Sequence, residues 1–449
     1  MPLDRSAAAR RPMPGVVAPP EPLGLWQAWR AARRNVLEII PQGAYERPAL
    51  TGGSGKGWIM LADPAALERV LKTREAAYPK SAVTRRIMRP RRGENLVTAT
   101  GETWRWQRRA MSAPFAPGAL DASRPAMAAA GRAVADRMGR GAPGVVDVYP
   151  QMTAATADVI ADIALSGREA LDRKALTDTI DAFVERVARI SLLDLLGAPG
   201  WVPRPGELLD GARARMDRKA DAIIAARRAA GPSDPPDFLD LLIGARDPQT
   251  GRGLSEVDLR NNLLGFLFAG HETTALTATW ALYLLAAHPD LQDRAAMAAD
   301  AAPEDRLDPW LRQVLEETLR LFPPAGFLAR TALEADELAG IEVRPGMAVI
   351  LPIYAMHRSA RLWPEPERFD PERFAPEAKA ARHRYAWLPF GAGPRVCIGA
   401  AMALEEAGIL LAAVLRRFRL SVPDGFTPEP RMWFTLRPGS GMPLRLDPR

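Results

Sequence analysis

At 449 residues the chain is long enough for one very large domain or for two or three ordinary ones. Hydrophobic residues at 47% and charged residues at 25% exclude a wholly disordered chain. The 60 Lys and Arg against 53 Asp and Glu leave a net charge of +7 that is spread along the chain without a long basic run, which argues against nucleic acid as a partner, and one cysteine excludes an internal disulfide and points to the cytoplasm.

From the N-terminus, residues 1–42 read as an arm. Its first 22 residues are rich in Ala, Arg and Pro and lack the continuous apolar stretch of a signal peptide or membrane anchor; Asp4 and several prolines also argue against an amphipathic targeting helix, so a loose, soluble arm is expected. The run ERPALTGGSGKGWIML, from Glu46 to Leu61, reads as strand, glycine turn and strand, with a capped helix from Asp63 to Leu71. Residues 101–322 are mostly helical, and their Pro and Gly clusters mark loops rather than domain linkers. After Phe322, irregular Pro-rich segments alternate with short strands such as Ile341 to Val343 and Met347 to Tyr354. A last strong helix from about Ala400 to Phe418 precedes terminal strands.

The longest periodic segment, Ser255 to His288, would extend roughly 50 Å as one helix. Ser255 with Asp258 gives its start and Pro289 its stop. From Leu263 to Ala287 it is apolar enough to resemble a membrane span, but the polar centre His271-Glu272-Thr273-Thr274 favours a buried helix in a large core.

Chemistry concentrates at four places. Phe390-Gly-Ala-Gly-Pro-Arg-Val-Cys397-Ile-Gly399 sets the lone cysteine just before a helix, where the macrodipole and free N–H groups favour a thiolate. Glycines at 391, 393 and 399 permit positive φ and close approach to a flat cofactor, and Arg395 is placed to meet a carboxylate. An arbitrary lone Cys is usually a small buried hydrophobe; its neighbours are what reverse that reading. In Ala269-Gly270-His271-Glu272-Thr273-Thr274, a hydroxyl next to an acid can open the helix locally and hold water, although alone it could equally be a polar kink. Glu317-Thr-Leu-Arg320 places two opposite charges on one helix face, usually a surface pair. Trp104-Arg-Trp-Gln-Arg108 is an aromatic-basic turn that could also be a solvated face.

Other readings fit less well. The third glycine of a dinucleotide loop would fall on Val396; in GGSGKG, Leu50 stands where a phosphate loop needs its first glycine; and Ala275 stands where a zinc helix needs a second histidine.

Taken together, F-x-x-G-x-R-x-C-x-G, A-G-x-E-T-T, E-x-x-R and W-x-x-x-R, in that family's order from residue 101 onward, resemble the cytochrome P-450 family across nearly the whole chain beyond the first forty residues. The resemblance implies a mainly α fold with a smaller β subdomain (α+β) and a long central helix over haem. It implies one catalytic domain at 43–449, with β-rich parts at about 43–100 and 325–385, the α-rich body at 101–322 and the haem-ligand loop at 390–399. Cys397 would be the axial ligand of haem b (iron protoporphyrin IX), flanked by Phe390, Gly393 and Gly399, with Trp104, Arg108, Arg330 and Arg395 at the propionates. Glu272 and Thr273 would serve dioxygen activation by holding water and moving protons. Glu317 and Arg320 would be structural, locking with Arg373 of Pro371-Glu-Arg373-Phe374, although Pro366-Glu-Arg368-Phe369 is a tandem copy of that motif. Gly265, Phe268 and Ala269 on the central helix, with Ala325, Gly326, Phe327 and Phe434, would line a substrate pocket shaped by loops at about 78–98 and 180–215; for each, core packing is the equal alternative.

A haem sensor or electron carrier is the rival class, disfavoured because Ala269, Gly270 and Thr273 offer no strong second ligand; His271 would serve only from another helix face. A peroxide-driven enzyme is a further rival, set against by the retained acid-threonine pair. The expected reaction is a monooxygenation of a small hydrophobic substrate, a fatty acid first. Dioxygen would be cosubstrate, and electrons from NAD(P)H would arrive through a separate ferredoxin or flavodoxin and its reductase. Arg105, Arg109 and the basic residues near His383 would form the docking face on a monomer without membrane anchor.

Overall fold

The computed structural model describes residues 12–53, 57–88, 94–164 and 211–449; the loop at 180–210 expected to shape the pocket lies outside them. Its helices are α1 (Leu25–Arg34), α2 (Gly101–Ala110), α3 (Pro117–Gly139), α4 (Val148–Ala164), α5 (Gly211–Ala230), α6 (Phe238–Ile243), α7 (Glu256–Ala287), α8 (Pro289–Ala301), α9 (Pro309–Leu321) and α10 (Ala400–Leu415), besides shorter turns. Among the described residues none is long and apolar enough to cross a membrane.

The spine is α7, and it starts and stops where its sequence says. Ser255 Oγ accepts from the Asp258 N–H at 3.1 Å, filling one of the orphan donors of the first turn. Past His288, Pro289 begins α8. Every residue from Thr274 to Ala286 is buried, as expected of a helix apolar all round. It packs against α4, α9 and α10, and α10 packs in turn on α3, forming the main core. Within that core Trp280 stacks on Phe322 at 3.9 Å and donates its indole N–H to the Leu436 carbonyl at 3.1 Å, so the aromatic's polar edge is satisfied at depth.

Strands β1 (Ala49–Gly52) and β2 (Trp58–Leu61) form the expected hairpin. β3 (Gly144–Asp147), β4 (Leu328–Thr331), β5 (Asp336–Leu338), β6 (Ile341–Val343) and β7 (Ala348–Leu351) follow, and β8 (Phe418–Ser421), β9 (Pro430–Met432), β10 (Leu436–Pro438) and β11 (Pro443–Pro448) close the chain. The largest sheet has the order β1-β2-β7-β4: residues far apart in sequence meet because β2 runs parallel to β7. A second sheet, β3-β11-β8, ties the end of the chain to the start of α4.

Three expectations need correction. The capped helix expected from Asp63 to Leu71 is present, but the rest of the stretch to 88 is also helical rather than β-rich, with turns at Glu75–Ala77 and Ala82–Met88. Residues 352–385 hold short helices and irregular backbone, not strands, their prolines lacking ladder donors. The arm is docked from residue 12 onward: the Pro19 carbonyl accepts from the Gln42 N–H at 2.8 Å, Pro14 is buried and its carbonyl accepts from Arg358 at 3.3 Å.

Candidate active site

The Cys397 loop is held by backbone. The Cys397 N–H donates to the Phe390 carbonyl at 2.9 Å, folding the loop back on itself. Gly391 and Gly393 take φ of +68° and +69°, and a Cβ on Gly393 would lie 2.0 Å from the Leu71 carbonyl oxygen, so no other residue fits there. Gly399 departs from expectation: its φ is −91°, and its place at the start of α10 against Phe115 reflects close packing rather than a left-handed turn.

Cys397 has accessible surface, yet burial by its surroundings pushes its thiol pKa up. The Gly399 N–H and the charge of Arg108 pull the other way, towards thiolate. Among the described residues no three His, Cys, Asp or Glu side chains converge as a chelating group.

Opposite chemistry sits on α7. Beyond its first turn, Ala269 is the one exposed residue of this otherwise covered helix, with Gly265, Phe266, Phe268, Gly270 and Thr273 only partly covered around it. Ala269 is thus an open point halfway along a buried spine. Thr273 Oγ1 donates to the Ala269 carbonyl at 2.7 Å, the back-bond that bends a helix. Phe268 and Phe434 pack in the same cluster as Trp104, Phe115 and Ile398, the neighbour of Cys397. Phe115 meets Phe266 edge-on at 5.2 Å, joining the cysteine side of the site to α7.

Glu272 points elsewhere. Its buried carboxylate pairs with Arg437 of β10 and accepts from the Tyr149 hydroxyl at 3.3 Å. His271 is buried on the α4 side, where the Thr156 hydroxyl donates to its carbonyl at 2.8 Å, and burial lowers its pKa to about 4. It does not share the Ala269 face.

A cationic cluster lies at the edge of the site. Arg395 pairs with Glu75 at 2.6 Å, donates to the Ala99 carbonyl at 3.1 Å, and stacks on the Trp104 ring at 4.3 Å. Arg330 is buried, its pKa lowered to about 10 by burial and then by Arg395. Lys80, which sequence reasoning missed, is bridged to Arg330 through backbone and donates to the Val97 carbonyl at 2.6 Å; burial, Arg330 and Arg395 lower its pKa to about 7. Three cations facing one carboxylate leave an excess of two positive charges when all are ionised. Such a site is made for a dianion. With a thiol ligand, glycines that admit a flat group and apolar walls, the residues fit haem b and its two propionates.

Glu317 and Arg320 are fully buried. Two hydrogen bonds of 2.7 and 2.8 Å join them, and Arg320 also donates to the carbonyls of His357, Pro366 and Arg368. Arg373 lies 3.5 Å from Glu317, whereas Arg368 turns outward to Glu365 at 3.0 Å.

Two pocket and docking expectations are corrected. A Cβ on Gly326 would strike Leu37 and Met432 at 2.8 and 2.9 Å, so this residue is packed between chain ends rather than lining a pocket. Arg109 is bidentate on the buried Asp247 at 2.7 and 2.8 Å, which removes it from a free docking surface. Ala325 and Phe327 are partly covered, Phe327 against the main core. Besides Lys80, Tyr149 and Arg437 went unforeseen: nothing near them in sequence marks a partner for Glu272.

The cytochrome P450 family model matches residues 51–443. A Streptomyces melanosporofaciens cyclooctat-9-en-7-ol 5-monooxygenase is 33% identical over 75% of this chain and 74% of its own, and human cytochrome P450 4F12 is 28% identical over 87% and 80%. Among solved structures, a retinoic acid-bound cyanobacterial CYP120A1 superposes with TM-score 0.77 at 26% identity, covering 90% of this chain and 92% of that one. The haem domain of cytochrome P450DA gives TM-score 0.77 at 26% identity over 98% and 99%. The protein is a member of the cytochrome P450 family, a monooxygenase of the haem-thiolate class.

Proposed function

We propose that the chain hydroxylates a long, mostly apolar substrate of the fatty-acid kind, with electrons delivered by a separate acidic ferredoxin or flavodoxin. The observation that carries the reading is the exposed Ala269 at the centre of a buried helix, flanked by Phe268 and in one apolar cluster with Phe434. Walls of that kind bind hydrocarbon and give it no polar anchor. A terpenoid alcohol is the second reading, favoured by the Streptomyces relative.

Haem, once bound, supplies the activation of dioxygen and the transfer of one oxygen atom. Cys397 would hold its iron through sulfur, and Lys80, Trp104, Arg108, Arg330 and Arg395 would hold its propionates. This chain's own work is placement and proton supply. Phe268 and Phe434 hold the substrate and exclude water. Thr273 would exchange its bond to the Ala269 carbonyl for a water held on the Ala269 face, and Glu272, on turning from Arg437, would take a proton from solvent and pass that same proton toward the water, returning as carboxylate to Arg437.

The reduced carbon-monoxide spectrum comes first: a thiolate-type Soret band is expected, and a histidine-type band in folded protein overturns the ligand assignment. Fatty acids of graded length and a diterpenoid alcohol are then titrated, with displacement of iron-bound water read in the Soret region. A response to the terpenoid alone overturns the fatty-acid reading. For the partner, exposed Arg105 is the test: Arg105→Glu should slow electron transfer from an acidic carrier and leave substrate affinity unchanged, and an unaltered rate counts against docking there.

A further inference from the structure

The loop at 94–100 that leads into α2 is folded around one amide. Asn95 is 8% exposed, and its Oδ1 accepts from the Val97 N–H at 3.1 Å, the Thr98 N–H at 3.0 Å and the Thr98 hydroxyl at 3.1 Å. Its backbone carbonyl accepts from the Ala99 N–H at 2.8 Å. Donors converging on one side of a side-chain amide make that side the oxygen, so the other side is the NH2 group. The loop is itself tied down: the Leu96 N–H donates to Asn262 Oδ1 on α7 at 2.8 Å, and Lys80 donates to the Val97 carbonyl at 2.6 Å.

The NH2 group is turned to α7. Nδ2 lies 3.6 Å from where a Cβ on Gly265 would stand, and it has no acceptor among the described residues. Gly265 is only partly covered and sits one turn before the exposed Ala269, on the same side of the helix. Glycine weakens a helix interior relative to alanine, and here it leaves open the approach to that amide. A buried donor left unanswered is unfavourable, and this one is fixed by the bonds to its own oxygen, so it cannot turn away to find a partner. It therefore favours whatever reaches the open side of α7 carrying an acceptor. A neutral amide supplies no counter-charge, so it serves a ketone, ester or hydroxyl oxygen better than a buried carboxylate.

We infer that Asn95 is a substrate anchor, its Nδ2–H donating to a neutral oxygen function of an otherwise apolar molecule at the Gly265 end of the pocket. It supplies the polar contact that the Phe268 and Phe434 walls lack. Thr273 lies about 12 Å further along α7 than Gly265. The oxygenated end is thus held well away from the threonine beside which oxygen insertion is proposed, and the C–H bond attacked lies far along the molecule from its oxygen. The inference rests on the proposed apolar substrate and narrows it.

The full-length, haem-loaded protein is titrated with a long-chain methyl ketone, the primary alcohol of the same carbon count and the matching alkane, read as displacement of iron-bound water in the Soret region. Ketone and alcohol should bind about three- to tenfold more tightly than the alkane. Asn95→Asp keeps the oxygen that the loop needs and replaces the donor by an acceptor, so the ketone should lose its advantage while the alcohol, which can donate, keeps it. Gly265→Ala covers Nδ2 without touching the loop's own bonds; it should weaken both oxygenated probes and leave the thermal midpoint no lower. Should Asn95→Asp fail to fold, Gly265→Ala decides alone. In the products, the new hydroxyl should keep a fixed count from the ketone end as the chain is lengthened. Equal affinity for ketone and alkane in the parent, variants that still favour the ketone, or a count fixed from the far methyl end instead overturns the inference and leaves the apolar pocket standing. No spectral shift with any of the three probes overturns the proposed pocket itself, and the inference with it.

Discussion

Two clusters of charged side chains, one around Glu317 and Arg320 and one around Lys80, Arg330 and Arg395, are built to different rules. Around Glu317 and Arg320 the pair itself is answered: the carboxylate takes two bonds from Arg320 and one from the Asp370 N–H, and the guanidinium spends its other donors on three carbonyls, with Arg373 as an outer cation 3.5 Å from Glu317. Around Lys80, Arg330 and Arg395 the positive charge exceeds what Glu75 can answer, and burial presses the first two towards neutrality. A closed cluster is finished by folding and stabilises a shape. An open one holds strain that only an anion relieves, so it marks where a ligand completes the protein.

Breaking the closed cluster should have the largest effect. Glu317→Ala leaves Arg320 buried without its counter-ion, for an expected loss of about 3–5 kcal/mol, read as a fall in the unfolding midpoint or as failure to fold. Leucine at both positions should not rescue it, since three carbonyls would then lose their donor. A double variant as stable as the parent would show that the pair matters only for its own charge.

Glu272 is a middle case, buried and paired like the lock but next to the open face of α7. Glu272→Gln keeps an acceptor for Tyr149 while removing the proton carrier. Turnover is expected to fall about a hundredfold with dioxygen still consumed and substrate affinity held, while stability falls less than in Glu317→Ala, because the amide oxygen still accepts from Arg437 and Tyr149. A large drop in the unfolding midpoint with full turnover would move Glu272 into the structural class.

The open cluster predicts a reversal of sign. Lys80→Met should leave the haem-free protein as stable or more so, because it removes a buried like charge, and should weaken haem retention by about tenfold, read from Soret loss on dilution. The same logic fixes a pH dependence. With its pKa at about 7 when folded against an ordinary 10.5, Lys80 has released its proton over that interval while the unfolded chain still holds one. Stability of the haem-free protein should therefore rise with pH from about 7 to 10, with the penalty fully present below 7. Haem loading should flatten that slope, since an anion nearby restores the charge on Lys80. Equal slopes in the two forms would disconnect Lys80 from the cofactor.

What the sequence made legible follows from range. The bounds of α7 were readable because cap, apolar run and stop are local, and the Cys397 loop because its spacing is dense in fixed positions. Lys80, Tyr149 and Arg437 were not readable, since each reaches its partner through the fold: Lys80 through a bridge to β4, Tyr149 from the start of α4 to α7, and Arg437 from a strand far along the chain. Gly326 misled for the same reason, its surroundings being supplied by Leu37 and Met432.

The tandem motif gives the smallest effect and the finest test. Pro366-Glu-Arg368-Phe369 and Pro371-Glu-Arg373-Phe374 are indistinguishable in pattern, yet only Arg373 turns in towards Glu317; the Arg368 side chain is 42% exposed and pairs with a still more open Glu365. What Arg368 gives the lock is its backbone carbonyl, which accepts from Arg320 at 3.1 Å and which a side-chain change leaves in place. Arg368→Ala is therefore expected to shift stability by less than about 0.5 kcal/mol, and Arg373→Ala by clearly more, since it strips charge from a buried carboxylate. Paired thermal melts decide it: two equal losses would mean that the first copy's side chain also serves the lock, and that exposure alone does not separate a structural arginine from a spare one.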